Sequence, residues 1–265
     1  MAEEILRLPP DKVKTLIKQG KMEVVSAPRV EPMTPANGSV ERARQLFGEN
    51  FLGVDAIHVM EEKCKAAGID VKFVIPALGN FDTLGLNVGV SNELLETAKA
   101  DEQRGRSRLI VLRPELMVVN RESKPITILS LRDLFKDKNP FGQGKLFYRQ
   151  NWFENEDFAK EGLKPSIGLP TKEVLPESLS RKWDEQTPLL EPGEHRREAI
   201  ETLWDSLLYY SATGKKVLEQ HLDWGQTRAS GGRLVSVGNF DSDGVFVFRL
   251  SPGYSDSVLG VCPSR

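Results

Sequence analysis

The sequence predicts an α+β protein: a mixed α/β region, then a C-terminal domain of about 120 residues built from one strand, two helices and a cluster of short strands. Three observations carry this. Glu198–Ser211 is an amphipathic helical stretch, with Ile200, Leu203, Trp204, Leu207 and Leu208 on one stripe and Gly214 placed just beyond its end. Everything after it reads as short strands separated by Gly, Ser and Asp turns. Before residue 139, strand-like and helix-like segments alternate without a repeat.

Taken in order, residues 1–38 hold a short helical stretch near Asp11–Gln19 and then the proline-punctuated run Ala27–Gly38, read as an arm or linker. From Ser39 to Ala67 the apolar positions recur helically, with Val54, Ile57 and His58 on one stripe and Gly68 as the stop. Val71–Ile75 and Leu109–Leu112 are expected to be buried strands, and Ser91–Ala100 a helix capped by Ser91 or Asn92. Ser130 to Asp133 is expected to cap a short helix ending near Phe135. Asn139–Gly144 (NPFGQG) breaks any continuing element, so residues 39–139 are read as one region and 140–265 as the next. In the second, Lys145–Tyr148 is a strand candidate and Asn151–Lys160 a helix candidate. The strands expected after the amphipathic helix are Val217–Leu222, Arg233–Phe240, Val245–Leu250 and Val258–Val261.

Composition narrows the function. The 265 residues are 39% hydrophobic and 28% charged, ordinary for a folded chain. Lys+Arg number 36 against 38 Asp+Glu, which lacks the basic footprint of a nucleic-acid binder. No apolar run is long enough for a membrane-spanning helix, and the acidic start (MAEEILRLPPDKVK) is unlike a signal peptide, so a cytoplasmic or virion-associated location is expected. Cys64 and Cys262 make no metal motif and are read as isolated thiols.

The last 44 residues, 222–265, differ in kind. They contain no Lys and no Glu, where the frequency of the first 221 residues would give about eight, and they hold seven Gly and seven Ser. Strand propensity depletes Lys and Glu only mildly, so something further selects these residues.

The run from Trp224-Gly-Gln-Thr227-Arg228 through Ser230-Gly-Gly-Arg233, Gly238-Asn-Phe240-Asp241 and Gly244-Val-Phe-Val247 to Leu259-Gly260-Val261-Cys-Pro-Ser264-Arg265 resembles the C-terminus of variable proteins of diversity-generating retroelements, of the kind found in small uncultivated bacteria, archaea and their viruses. Lys145-Leu-Phe-Tyr148, Asn151-Trp152-Phe153 and Ser180-Arg-Lys-Trp183-Asp-Glu-Gln186 share the resemblance, which covers about residues 140–265. It implies a C-type-lectin-like domain at 140–265 and a non-catalytic, ligand-binding role. It also implies a mechanism for the missing Lys and Glu. Error-prone copying of template adenines turns AAC or AAT codons into those for Asn, Ser, Asp, Gly, Tyr, Phe, Arg, Leu, Val or Pro, never Lys, Glu, Gln, Met or Trp. The positions that the motif frame assigns as variable and ligand-binding are Ser236, Asn239, Asp243, Phe246, Phe248, Arg249, Leu250, Tyr254, Asp256, Val258 and Pro263, with Ser255 beside them. The ligand so implied is macromolecular, with a protein favoured, and no cofactor is implied.

Alternation supports the same face. In Val245–Leu250 the period of two puts Val245, Val247 and Arg249 on one side and Phe246, Phe248 and Leu250 on the other. If the valines and Phe240 fill the core, the second set faces outward and makes an aromatic binding surface. The competing reading buries both sides. Scaffold positions are expected at Trp204, Leu207, Val237, Phe240, Val247 and Val261.

Catalytic motifs are missing. His58 in its helix is expected to be half-buried, His195 solvated, and His221 at the edge of the binding face. There is no Gly-x-Ser-x-Gly elbow, no phosphate-binding glycine loop in Gly79–Gly89, and Asp241-Ser-Asp243-Gly244 lacks the later ligands of a calcium loop. Two alternatives stay open: a fixed phage or host-interaction binding module, and an enzyme with its site in residues 39–139.

Overall fold

A computed structural model describes residues 43–75 and 92–265. The expected helix at Asp11–Gln19 and the arm at 27–38 lie outside them, as does the capping side chain of Ser91 or Asn92. The described residues belong to one compact unit, Gly38–Arg265. It is mixed α/β, with three small sheets among the described residues.

The first sheet has strand order β1 (Phe51–Leu52), β3 (Ile110–Arg113), β6 (Ser166–Gly168); β1 runs parallel to β3 and β6 antiparallel. The second is an antiparallel set, β2 (Val71–Val74), β4 (Leu116–Val119), β5 (Glu122–Pro125). The third contains the tail. Its order is β10 (Leu259–Gly260), β7 (Leu222–Arg228), β8 (Leu234–Asp241), β9 (Gly244–Leu250), antiparallel except for the β10–β7 pair.

Residues 43–47 are helical, and the further helices among the described residues are α1 (Val54–Ala66), α2 (Asn92–Gln103), α3 (Ile128–Phe135), α4 (Trp183–Gln186) and α5 (Ala199–Thr213), with short 3-10 turns between. Helix α5 is the centre of the molecule. It starts with a Glu198/Glu201 capping box, and it ends at Gly214, the stop that its sequence predicts. All turns of it are buried, because α1, β3 and the inner sides of β7 and β8 pack around it. The six expected scaffold residues, Trp204, Leu207, Val237, Phe240, Val247 and Val261, are all buried.

One apolar cluster joins residues on both sides of Asn139–Gly144, from Leu52, Ile57 and Met117 to Trp204, Phe240 and Val247. Trp204 fastens the two sides by donating its indole N–H to the Leu112 carbonyl at 3.0 Å. A buried polar frame does the same. Arg113 donates to both carboxylate oxygens of Asp205, at 2.9 and 2.6 Å, and Arg197 bridges Asp205 and Asp223 at 2.9 and 3.1 Å. Burial opposes the charge on Arg197, but the carboxylates of Asp223 and Asp205 outweigh it and raise its pKa. Asp223 also accepts from the Cys262 amide at 2.8 Å and the Thr202 hydroxyl at 2.8 Å, so the frame holds the C-terminal strand in place.

Several elements depart from expectation. The 39–67 stretch is not one helix: a 3-10 turn at Gly48–Asn50 and strand β1 interrupt it, because Phe51 and Leu52 pair with Ile110 and Val111. His58 is exposed rather than half-buried; the buried stripe of α1 is Ala56, Ile57, Met60, Glu61 and Cys64. Helix α3 ends at Phe135 as expected, but Thr127 caps it and Ser130 is the reciprocal member of the capping box. Residues 151–160 form turns and a 3-10 helix, Asp157–Lys160, since Phe153 and Phe158 bury while Trp152 turns to bond Val247. The strand expected at 217–222 starts only at Leu222, because Leu218 takes a left-handed φ of 56°. Residues 145–148 make a single parallel bridge, Phe147 to Val245, rather than a strand. Strands β1, β4, β5 and β6 have no counterpart among the elements expected from the sequence.

Candidate binding face

Strands β7, β8 and β9 present two different sides. The inner side carries Val235, Val237, Val245 and Val247, each buried against the main core around α5. The outer side carries Leu222, Trp224, Leu234, Phe246 and Leu250, which form a second, smaller apolar cluster with Leu259 and Trp183. This cluster covers only part of the outer side. Phe246 remains half-buried, and Phe248 keeps 38% of its surface exposed.

Register explains the arrangement. Trp224 lies opposite Ser236, and Ser236 opposite Phe248; Leu222 lies opposite Gly238, and Gly238 opposite Phe246. Gly238 offers no side chain beside Phe246. Phe246 and Phe248, two residues apart on one side of β9, stack with centroids 5.4 Å apart and planes 3° from parallel. Tyr148 also stacks on Phe246, with centroids 3.9 Å apart and planes at 19°. Tyr254, Val258 and Tyr148 are exposed by 44%, 40% and 38%.

The eleven expected site positions therefore divide. Phe246, Phe248, Leu250, Tyr254 and Val258 supply exposed or partly exposed apolar surface. Asp256 accepts from the Tyr254 hydroxyl at 2.9 Å and from the Val258 amide at 3.1 Å. The Val258 amide chiefly, with the Tyr254 hydroxyl, holds its carboxyl below the usual range, while the same carboxylate pushes the Tyr254 phenol up. Asp243 is exposed at the β8–β9 tip, where its amide bonds the Asp241 side chain; with Ser242 it forms a two-residue turn, not an ion site. Asn239 is half-buried with φ of 46°, a left-handed conformation that Asn tolerates.

Arg249 sits on the opposite side from Phe248, as alternation predicts. Its guanidinium lies 4.9 Å from the Trp152 ring centroid and 3.2 Å from Glu156. Ser236 and Pro263 stand apart from the rest. Both are enclosed and add no exposed surface to this face. The Ser236 hydroxyl and the neighbouring Trp224 indole N–H have no hydrogen-bond partner among the described residues.

His195 is exposed, its backbone paired with Ser264, and His221 is half-buried at the start of β7. Cys64 and Cys262 are buried free thiols; burial, with Glu61 nearby, pushes Cys64 up to about 12. No three-member group of His, Cys, Asp and Glu poised for a metal occurs among the described residues. In the earlier half, a cleft of about 420 Å³ is lined by Asp70, Met117, Lys124, Asp133 and Asp137. Its one hydroxyl, Ser130, is committed to the α3 cap and to the Pro125 carbonyl.

Tyr148 is the member of the face that the expected positions omit. Its signal was present in Lys145-Leu-Phe-Tyr148, but spacing alone gives no reason to bring it beside Phe246.

Compared with family models, curated proteins and solved structures, the chain matches none. No helix among the described residues is long and apolar enough to cross a membrane.

Proposed function

We propose that this protein is a non-catalytic receptor whose C-terminal, C-type-lectin-like part presents a surface diversified by retroelement-directed adenine mutagenesis. One observation carries the reading: within a stretch free of Lys and Glu, Phe248 on β9 and Tyr254 and Val258 in the turns after it are exposed, while the alternating valines of β8 and β9 are buried. A surface of this kind can change its outward residues without altering the core. Its ligand is a macromolecule, for which an exposed aromatic strip is a suitable hot spot.

Deep sequencing of the gene from its source population tests the proposal. Substitutions should concentrate at codons 239, 246, 248, 254 and 258 and track adenines of a nearby template repeat beside a reverse transcriptase gene. A 3′ end that varies no more than the rest would instead make this a fixed binding module.

A further inference from the structure

Arg249 is the expected site residue that the aromatic strip cannot use, because alternation turns it to the other side of β9. There it sits in a cradle of two groups from outside the 222–265 stretch, over the Trp152 ring and hydrogen-bonded to Glu156. Neither group depends on Arg249 for its place. Trp152 donates its indole N–H to the Val247 carbonyl at 2.9 Å and packs edge-on against Phe153, with centroids 5.5 Å apart. Glu156 accepts from the Ser230 amide at 2.7 Å and the Ser230 hydroxyl at 2.6 Å. The Glu156 side chain is 10% exposed and that of Arg249 38%, so the cation is the outer member of the pair. A cleft of about 450 Å³ adjoins the cradle, with Trp152, Glu156, Asp157 and Glu161 in its lining. The one cation that lines it, Arg228, is turned to the Gly232 carbonyl at 3.4 Å.

We infer that Trp152 and Glu156 form a guanidinium-binding subsite, filled in this chain by Arg249 and opened to a ligand's guanidinium wherever residue 249 is small and neutral. That residue 249 varies rests on the function proposed above; the cradle stands on its own geometry. Two features select guanidinium. A guanidinium is the group already seated there, 4.9 Å from the ring centroid and 3.2 Å from the carboxylate. An aromatic ring with a carboxylate beside it also matches a planar cation that stacks and donates hydrogen bonds at once; a compact, strongly hydrated ammonium suits it less. An anion entering the same cleft would meet the carboxylates of Glu156, Asp157 and Glu161.

Titration of methylguanidinium chloride into the full chain tests this, read from the NMR signal of the Trp152 indole N–H, which Trp152→Phe assigns. Arg249→Ala should bind the probe saturably and about ten-fold more tightly than the parent, in which Arg249 competes for the place. Adding Glu156→Gln to Arg249→Ala should weaken binding by about ten-fold again, through loss of a charge-assisted hydrogen bond. Sodium chloride at the same concentrations should leave the signal where it is. Arg249→Ser serves as a second opened variant, and circular dichroism melts confirm that each protein folds. A shift that is equal in parent and Arg249→Ala, that sodium chloride reproduces, or that is unchanged by Glu156→Gln would overturn the subsite. So would the lack of a saturable shift in both folded Arg249 variants. None of these outcomes depends on whether the gene varies, so the subsite and the diversified receptor stand or fall separately.

Discussion

The two sides of the β7–β8–β9 sheet are built from alternate residues of the same strands, yet they are held by different physics. The inner side is closed by Val235, Val237, Val245 and Val247 against α5 and locked by a buried ionic frame. The outer side is half-closed by Leu222, Trp224 and Leu234, then left open at Phe248. An apolar side chain on the inner side is fixed by packing at interior density, where a change of one methylene is felt. On the open part of the outer side, a substitution exchanges one solvent contact for another. The sheet can therefore tolerate change on one side because the other side is over-determined.

The strongest way to break the comparison is to attack the frame. Asp223→Ala leaves Arg197 buried without one of its two carboxylates and removes the acceptor for the Cys262 amide. Breaking a buried pair in this way costs about 3–5 kcal/mol. Denaturant unfolding should show a loss of that size. A loss below about 1 kcal/mol would mean that packing alone holds the tail.

Next in size is Ser236, where the outer side behaves like the inner one. It is fully buried between Trp224 and Phe248 in register. Ser236→Tyr should cost about 1–3 kcal/mol through overpacking. Ser236→Ala should be neutral or slightly stabilising, because the hydroxyl it removes has no partner. Thermal melts of the pair decide this. If the surface is diversified, codon 236 should retain only small residues in natural variants while codon 248 samples large and small alike.

Much of this contrast was legible in the sequence. Alternation in Val245–Leu250 placed the valines inward and the phenylalanines outward, and the stripe through Trp204 and Leu207 located α5. What escaped was non-local. The β4–β5 hairpin turns through Asn120 and Arg121, both with positive φ, and Arg121 is an unusual residue for such a turn. Ser236 looked like a surface residue because a small polar side chain in a strand carries no mark of the Trp224 and Phe248 that flank it across the sheet. The ionic frame was invisible for the same reason: Arg113, Asp205 and Asp223 are far apart in the chain and none lies in a motif.

Phe248→Ser on the open side should cost less. It removes a half-exposed ring and one stacking contact with Phe246, an effect of about 0.2–1 kcal/mol for a cross-strand or same-face aromatic pair. A loss approaching that of Asp223→Ala would show that the outer side is core after all.

The smallest expected effect concerns the ion pair on the other side of β9 from Phe248, and it depends on pH. Glu156 accepts from the Ser230 amide at 2.7 Å and the Ser230 hydroxyl at 2.6 Å, and pairs with Arg249 at 3.2 Å. The Ser230 hydroxyl first, then its amide, hold the Glu156 carboxyl below its ordinary value of 4.5. The folded protein thus binds this proton less tightly than the unfolded chain does. The stabilisation from Glu156 is complete above about pH 4.5 and drains away as the pH falls through the lower folded value. Glu156→Gln removes that dependence, so the difference in melting temperature between parent and variant should be largest at neutral pH and shrink on acidification below 4.5. A difference that stays constant to pH 3 would show that the Ser230 turn is held by its own backbone and owes nothing to this charge.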